Sequence, residues 1–308
     1  MVSSSHEHAK VVSSSNDVNL PFGTDWPQRL QRIFPCLACP SCHGDLAKQT
    51  SSVLCTRCRK SYPINNGKIY FIEPIHTQDR LDTIKTRLKN YLGAAYYTVG
   101  VRVLAPVFPF NYKRAIQDRV DPQVQLVVDL GCGNYRVDDD IVSLDASDYD
   151  AVDIVADLES LPFKDGCIDA LCSCGVLEHV PQIETAVAEM VRCTKLEGIS
   201  LHLIPFLFPF HASPHDYTRL THAGVARLFS GWSMVEQRNT AGPVTLFLIC
   251  FIEFISVLLS FGVLWLKAVI YLFCCLILFP IKYLDAPFIG RPSFIGLAPT
   301  ILTVVRKA

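Results

Sequence analysis

Four cysteines carry the first chemical signal. Cys39 and Cys42 are spaced CxxC, and so are Cys55 and Cys58, with twelve residues between the pairs. A CxxC knuckle sets two thiolates on one side of a tight turn, and two knuckles complete a tetrahedral sulfur cage for zinc. Four thiolates leave no coordination position open, so the ion is expected to be structural and not catalytic. Two unrelated pairs of buried cysteines are the competing reading, and Cys36 is an alternative ligand. A second signal is the glycine pair Gly131 and Gly133, which ends the apolar run VQLVVDL. Glycines here let the backbone turn sharply and approach a ligand closely. Asp145 closes the next apolar run, IVSLD, where an acid can accept hydrogen bonds from ribose hydroxyls. A third group, His211, His215, Asp216 and Tyr217, lies in PFLFPFHASPHDYTRLT. His215 could act as a base oriented by Asp216. A structural role is the alternative, with Asp216 capping a helix that starts near Thr218 and Arg219 pairing with a carboxylate.

These residues need a scaffold. Val124, Leu126, Val127 and Val128 suit a central parallel strand covered on both faces. Residues 124–240 alternate strand-like and helix-like runs, the signature of an α/β sheet. The segment VDIVADLESLPFKDGCIDALCSCGVLEHV supplies an acidic turn, a third element and a fourth strand. GWSMVEQRN and APTILTVVRK read as the last two strands, sixth and seventh. Only eleven residues separate Gly133 from Asp145, so the usual helix between the first two strands is absent or a single turn, and Asn134, Tyr135 and Arg136 form a short link. The absence of G-x-G-x-x-G spacing argues against a NAD site.

The ordered set VVDLGCG, Asp145, ADLESLPFKDG and CSCGVLEHV resembles the class I S-adenosylmethionine (SAM) dependent methyltransferases, most closely the type 11 group. The stretch ETAVAEMVRCTKLEGISLHLIPF is similar to that family's helix, turn and fifth strand. The resemblance implies a Rossmann-like α/β sheet with SAM as cofactor. By position, it places Asp129, Gly131 and Gly133 along the methionine end, Asp145 on the ribose and Asp157 with Leu158 at the adenine. Cys174 and Gly175 would lie under the sulfonium, and Glu178 and His179 would begin the following helix. Methyl transfer asks for an acceptor held in line and water excluded, with a base only where the acceptor must lose a proton. His215, Asp216 and Tyr217 are the candidates for that role. The cysteine unit, with SYPINNGKIYFIEP behind it, resembles the small zinc ribbon of a short partner protein that activates several tRNA and protein methyltransferases.

Composition limits the rest. The chain has 308 residues, a net charge of -1, 50% hydrophobic and 19% charged residues, and a mean hydropathy of +0.28. Nucleic-acid binding through bulk charge is not expected, and disorder of the whole chain is excluded. The first residues show no secretory signal, so the 13 cysteines point to a reducing compartment and to metal over disulfides. Residues 1–32, with His6 and His8, read as a polar disordered tail, 33–75 as the ribbon and 76–123 as a helical connector with Leu81, Ile84, Leu88 and Leu92 on one face. Residues 124–308 read as the methyltransferase domain. Inserted in it, residues 244–281 are apolar with only Glu253 and Lys267 charged. That is too long for one bilayer crossing, and a helical hairpin turning near Ser260-Phe261-Gly262 is expected. In-plane helices and a soluble core pair are the competitors. An insertion must leave and return on one side, and Lys282, Arg291, Arg306 and Lys307 agree with a cytosolic exit. The expected function is a membrane-associated SAM-dependent methyltransferase with an unknown small-molecule acceptor, lipid-like or quinone-like. A non-catalytic membrane-tethered module and a methyltransferase acting on tRNA or a translation protein are the alternatives.

Overall fold

A computed structural model describes residues 26–75, 100, 103–210 and 215–308. His6, His8, the Leu81–Leu92 face and His211 lie outside the described residues. Residues 26–32, expected to belong to the polar tail, are built into the fold instead. Trp26, Leu30 and Ile33 are buried, the last two on the short helix α1 (Gln28–Ile33).

The ribbon holds strands β1 (Leu46–Lys48), β2 (Ser52–Cys55), β3 (Ser61–Asn65) and β4 (Lys68–Tyr70). Asn66 and Gly67 join the last two, with φ of 51° and 76°. Both being left-handed gives the tight primed turn that matches strand twist. Helix α2 (Tyr112–Gln117) follows, then β5 (Val127–Leu130), β6 (Val142–Asp145), β7 (Ile154–Val155) and β8 (Ile168–Cys174). Next come α3 (Ile183–Cys193), β9 (Thr194–Pro205), α4 (His222–Leu228) and β10 (Trp232–Asn239). The apolar helices α5 (Pro243–Ser260) and α6 (Leu264–Leu278) precede β11 (Thr300–Lys307).

Among the described residues, eleven strands form one sheet in the order β1-β2-β3-β4-β7-β6-β5-β8-β9-β11-β10. From β4 to β9, beyond the antiparallel ribbon, every pairing is parallel, whereas β11 runs antiparallel to both of its neighbours. The ribbon is therefore no separate bead. Its strand β4 pairs with β7, Ile69 opposite Ile154 and Tyr70 opposite Val155. Lys68 and Tyr70 fasten the seam through Asp148, at 2.6 and 2.8 Å. The central strands are buried on both faces, as their apolar runs require. Helix α3 turns Ile183, Ala186, Val187, Met190 and Cys193 inward at helical spacing.

The two apolar helices turn where expected, at Phe261 and Gly262, both left-handed. They lie between β10 and β11 and pack chiefly on each other and on residues 279–297. Asp285 closes the base of this hairpin. Its buried carboxylate accepts from the amides of Gly242, Val244 and Thr245 at 2.8–2.9 Å, which satisfies the first turn of α5.

Candidate active site and metal centre

In open parallel sheets a ligand crevice forms beyond the carboxyl ends of the strands, where the strand order reverses. Here the chain runs from β5 outward through β6 and β7 on one side, and through β8 and β9 on the other. The reversal lies between β5 and β8. Gly131 and Gly133 follow β5, Cys174 ends β8, and Asp145 ends β6 beside them.

The glycine loop is shaped as the sequence implies. Gly131 and Gly133 have φ of 68° and 57°, a conformation costly for other residues. Val176 packs against Gly131 so closely that a Cβ there would lie 2.5 Å from its Cγ1. At Gly133 the space is open for 4 Å. The amides of Gly131 and Cys132 donate to the Leu144 carbonyl. The Gly133 amide donates to Asp145 Oδ2 at 2.8 Å, and Ser147 donates to Oδ1 at 2.8 Å. The Ala146 amide also donates to this carboxylate, and a carboxylate has about four acceptor positions, so three are occupied from within the chain. Burial holds its carboxyl above the usual range.

Asp129 is buried, and burial pushes its carboxyl up to about 7. Tyr112 on α2 donates to Asp129 Oδ1 at 2.8 Å. Sequence reasoning missed Tyr112, because nothing local ties it to a strand seventeen residues later. Cys174 is exposed, yet the protein around it pushes its thiol up to about 12, as expected on the floor of a crevice. Gly175 follows with φ of 67°. Asp157 is exposed and caps the turn Leu158–Ser160 by accepting from the Glu159 amide at 3.0 Å. Leu158 is turned into the main core.

No helix separates Gly133 from Asp145. The short link is pinned by Arg136, which donates to both oxygens of Asp153, at 2.8 and 2.9 Å. Arg29 grips the same carboxylate from α1 at 2.9 Å on each oxygen. Although buried, Asp153 is held below the usual carboxylate range by these two guanidiniums. The sequence carries no pattern that joins these three residues.

The third predicted group only partly assembles. His215 and Tyr217 are exposed beside one another, ring centroids 5.5 Å apart. Their segment docks on the turn after β8, where the Tyr217 amide donates to the Glu178 carbonyl at 2.8 Å and His179 Nδ1 meets the His215 carbonyl. Asp216 is not the orienter of His215, since its carboxylate pairs with Arg219. Nor does Asp216 cap a helix at Thr218. Helix α4 begins at His222 and is capped by Thr221, which accepts from the Gly224 amide at 3.0 Å. Glu178, expected to open a helix, is instead buried in a single 3₁₀ turn, Leu177–His179. A surface groove of about 560 Å³, lined by Lys113, Gln117, Asp138 and Asp140 among others, lies apart from these groups near the amino end of β5.

In the ribbon the four predicted thiols converge. Their sulfurs all lie within 4.8 Å of one another, with Cys39 and Cys58 at 3.6 Å and Cys42 and Cys55 at 3.4 Å. A tetrahedral ZnS₄ site with Zn–S of about 2.3 Å has edges of about 3.8 Å. The donor set fits a soft divalent metal. Tyr62 hydroxyl contacts Cys39 Sγ at 3.0 Å, the kind of outer contact that orients a ligand. Cys36 stands outside the cluster, facing Cys167.

Fold and crevice together define an open α/β sheet with a ligand-sized crevice where its strand order reverses. Residues 128–201 match the methyltransferase domain family. No curated protein matches the chain. Among solved structures, it is similar to the complex of the Haloferax volcanii Trm112 methyltransferase activator with a methyltransferase. The identity is 17% over 75% of this chain and 97% of that one, with a TM-score of 0.40. It is also similar to the Burkholderia thailandensis 1,6-didemethyltoxoflavin-N1-methyltransferase, at 11% identity over 82% of this chain and 97% of that one, with a TM-score of 0.40.

Proposed function

We propose that this protein is a membrane-anchored methyltransferase that takes its methyl group from SAM and carries a structural zinc ribbon. The carrying observation is the crevice at the strand reversal, where a loop with two left-handed glycines, Gly131 and Gly133, turns back so that the Gly133 amide donates to the Asp145 carboxylate. SAM supplies a methyl group already activated on a sulfonium. The chain's part is to hold and orient. Asp145 offers its remaining acceptor capacity to the ribose hydroxyls, and Asp157 with Leu158 borders the adenine. Gly133 gives the open backbone, and Cys174 with Gly175 forms the floor below the sulfonium. Asp129 and Tyr112 face the methionine end as one hydrogen-bonded unit. His215 and Tyr217 stand at the lip where an acceptor would enter, and Asp216 shapes that lip through Arg219. Cys39, Cys42, Cys55 and Cys58 hold zinc, which ties β2 and the two knuckles together and so steadies the strand that pairs with β7.

The anchor reading rests on exposure and length. Phe247, Phe254, Leu258, Phe261, Leu264, Trp265 and Phe273 project from the hairpin unburied. Its two spans, Pro243–Ser260 and Leu264–Phe288, have a mean hydropathy of 2.3. Eighteen residues of α5 rise about 27 Å, close to the hydrocarbon thickness of a bilayer. Trp265 near the tip and Tyr283 near the base suit the two interfaces. Glu253 and Lys267 pair between the helices, which neutralises the only charges of residues 244–281. Basic Arg238 and Arg291 at the base support a cytosolic catalytic side.

A membrane-tethered module without turnover is the second reading, favoured by the missing helix after Gly133 and by loop amides that are already satisfied internally. Calorimetric titration of the full chain in detergent with SAM, repeated on Asp145→Ala, tests the proposal. Binding lost in the variant supports it. No binding by the parent overturns it. Binding without methyl transfer to any acceptor favours the module.

A further inference from the structure

We infer that the methyl acceptor is a membrane-resident molecule that enters the crevice from the bilayer side. This rests on the methyltransferase and anchor readings above, and adds a direction that neither contains. Strand register supplies it. Cys174 pairs with Leu203, Leu203 with Leu302, and Leu302 with Arg238. The crevice floor and the end of β10 therefore lie in one row across the sheet, three strand spacings of about 4.8 Å apart, or about 14 Å. The apolar hairpin leaves just beyond that row, after Asn239, and returns to it at Thr300, opposite Pro205. Had the insertion joined the other ends of β10 and β11, the crevice would point away from the anchor. Instead both open at the carboxyl edge, and the hairpin packs on itself rather than on the faces of the sheet.

The space between them is lined with apolar groups. Beyond β9, Phe206 and Leu207 donate to the carbonyls of Pro299 and Ala298, which ties the start of the segment 206–210 to the chain returning from the hairpin. Phe210, at its end, is 74% exposed. On the other side, Lys282 at the hairpin base donates to the carbonyls of Val103 and Ala105 at 2.7 Å, and the Phe108 amide donates to Thr245 Oγ1 at 3.2 Å. Phe108 packs edge-on to Tyr283, and Arg238 lies over Phe110. Two residues further on, Tyr112 reaches Asp129. A continuous strap thus runs from the anchor's base to the crevice acid. An acceptor with an apolar tail in the lipid and a reactive head is the chemistry this corridor fits. A water-soluble acceptor gains nothing from it.

The test uses the full chain in phosphatidylcholine vesicles containing a radiolabelled phosphatidylcholine. A photoreactive benzoylphenylalanine replaces Phe210 in one protein and Val124 in another. Val124 is exposed at the opposite end of the sheet. Irradiation is expected to transfer lipid label to the protein with the probe at 210 and not to the one at 124. Equal labelling of the two, or none at 210, overturns the inference. Flotation with the vesicles and SAM calorimetry on the same samples separate the failures. Protein that floats and binds SAM but takes no label at 210 loses only the bilayer-side entry. Protein that fails to float, or fails to bind SAM, loses the underlying reading and this inference with it. In vesicles made from a total lipid extract, tritium from methyl-labelled SAM is expected in the chloroform phase, and label confined to water-soluble products overturns the inference.

Discussion

The hydroxyl of Tyr112 donates a 2.8 Å hydrogen bond to Oδ1 of Asp129, so the helix that follows the anchor strap touches the buried acid of the crevice. Burial pushes Asp129 up to about 7, from about 3.9 in an unfolded chain. The folded state therefore keeps this proton where the unfolded state has lost it. The stability involved is fully present below about pH 4 and is lost as pH rises toward 7. Relative to wild type, Asp129→Asn is expected to gain stability steadily from pH 4 to 7 and then level off. Urea midpoints across that range measure it, and a flat difference would remove Asp129 from the account.

His202 has the opposite sign. Ser173 and Ser200 hydroxyls meet its two ring nitrogens at 2.8 and 2.7 Å in the sheet interior, and burial lowers its pKa to about 3. Its folded form is neutral while the unfolded form charges below about 6.5. Its stabilisation is present above pH 6.5 and is lost as pH falls toward 3. His202→Gln keeps a donor and an acceptor without the titration. It should show a smaller loss on acidification than wild type, read by thermal melts at matched ionic strength.

Gly131 faces two penalties at once. Alanine there would hold a left-handed φ and collide with Val176. Gly131→Ala is expected to cost about 2–4 kcal/mol. Adding Val176→Ala removes the collision and leaves the backbone strain, so the double variant should regain part of the Gly131→Ala collision cost. Gly133→Ala, with open space around it, should cost about 1–2 kcal/mol from the backbone alone. Equal midpoints for the two single variants would contradict the Val176 contact.

Much of this architecture is legible in the sequence because its signals are local. The run into Gly131, the strand ending at Asp145, the paired CxxC knuckles and the turn at Phe261-Gly262 are each contained in a few neighbouring residues. What escapes the sequence is pairing over long range. Arg29 and Arg136 on Asp153, Tyr112 on Asp129 and Val176 against Gly131 depend on which surfaces the fold brings together. The fusion of ribbon and domain through β4 and β7 is invisible for the same reason, since a two-residue strand has no periodicity to read. Asp216 was legible as a polar loop residue, but the choice between His215 and Arg219 as its partner is made by tertiary geometry.

Metal analysis should find one zinc per chain. Stripping it with a strong chelator is expected to speed hydrogen exchange in β1 to β4 and in β7, which pairs with β4, while β8, β9 and β11 stay protected. Uniform loss of protection would mean that the metal holds the whole fold, and unchanged exchange would deny it a structural role.

The hairpin should keep the protein in the membrane pellet through both high salt and alkaline carbonate. Release by carbonate but not by salt would indicate shallow in-plane attachment, and release by salt alone would exclude apolar insertion.

Strand β11 follows the hairpin in the chain but lies between β9 and β10, which precede it. During synthesis these two neighbours emerge before the strand that lies between them. The greasy arm is made before that strand as well. Under the proposed anchoring, delivery to the bilayer comes ahead of completion of the sheet, and the protein finishes assembling only once it is already at its place of work.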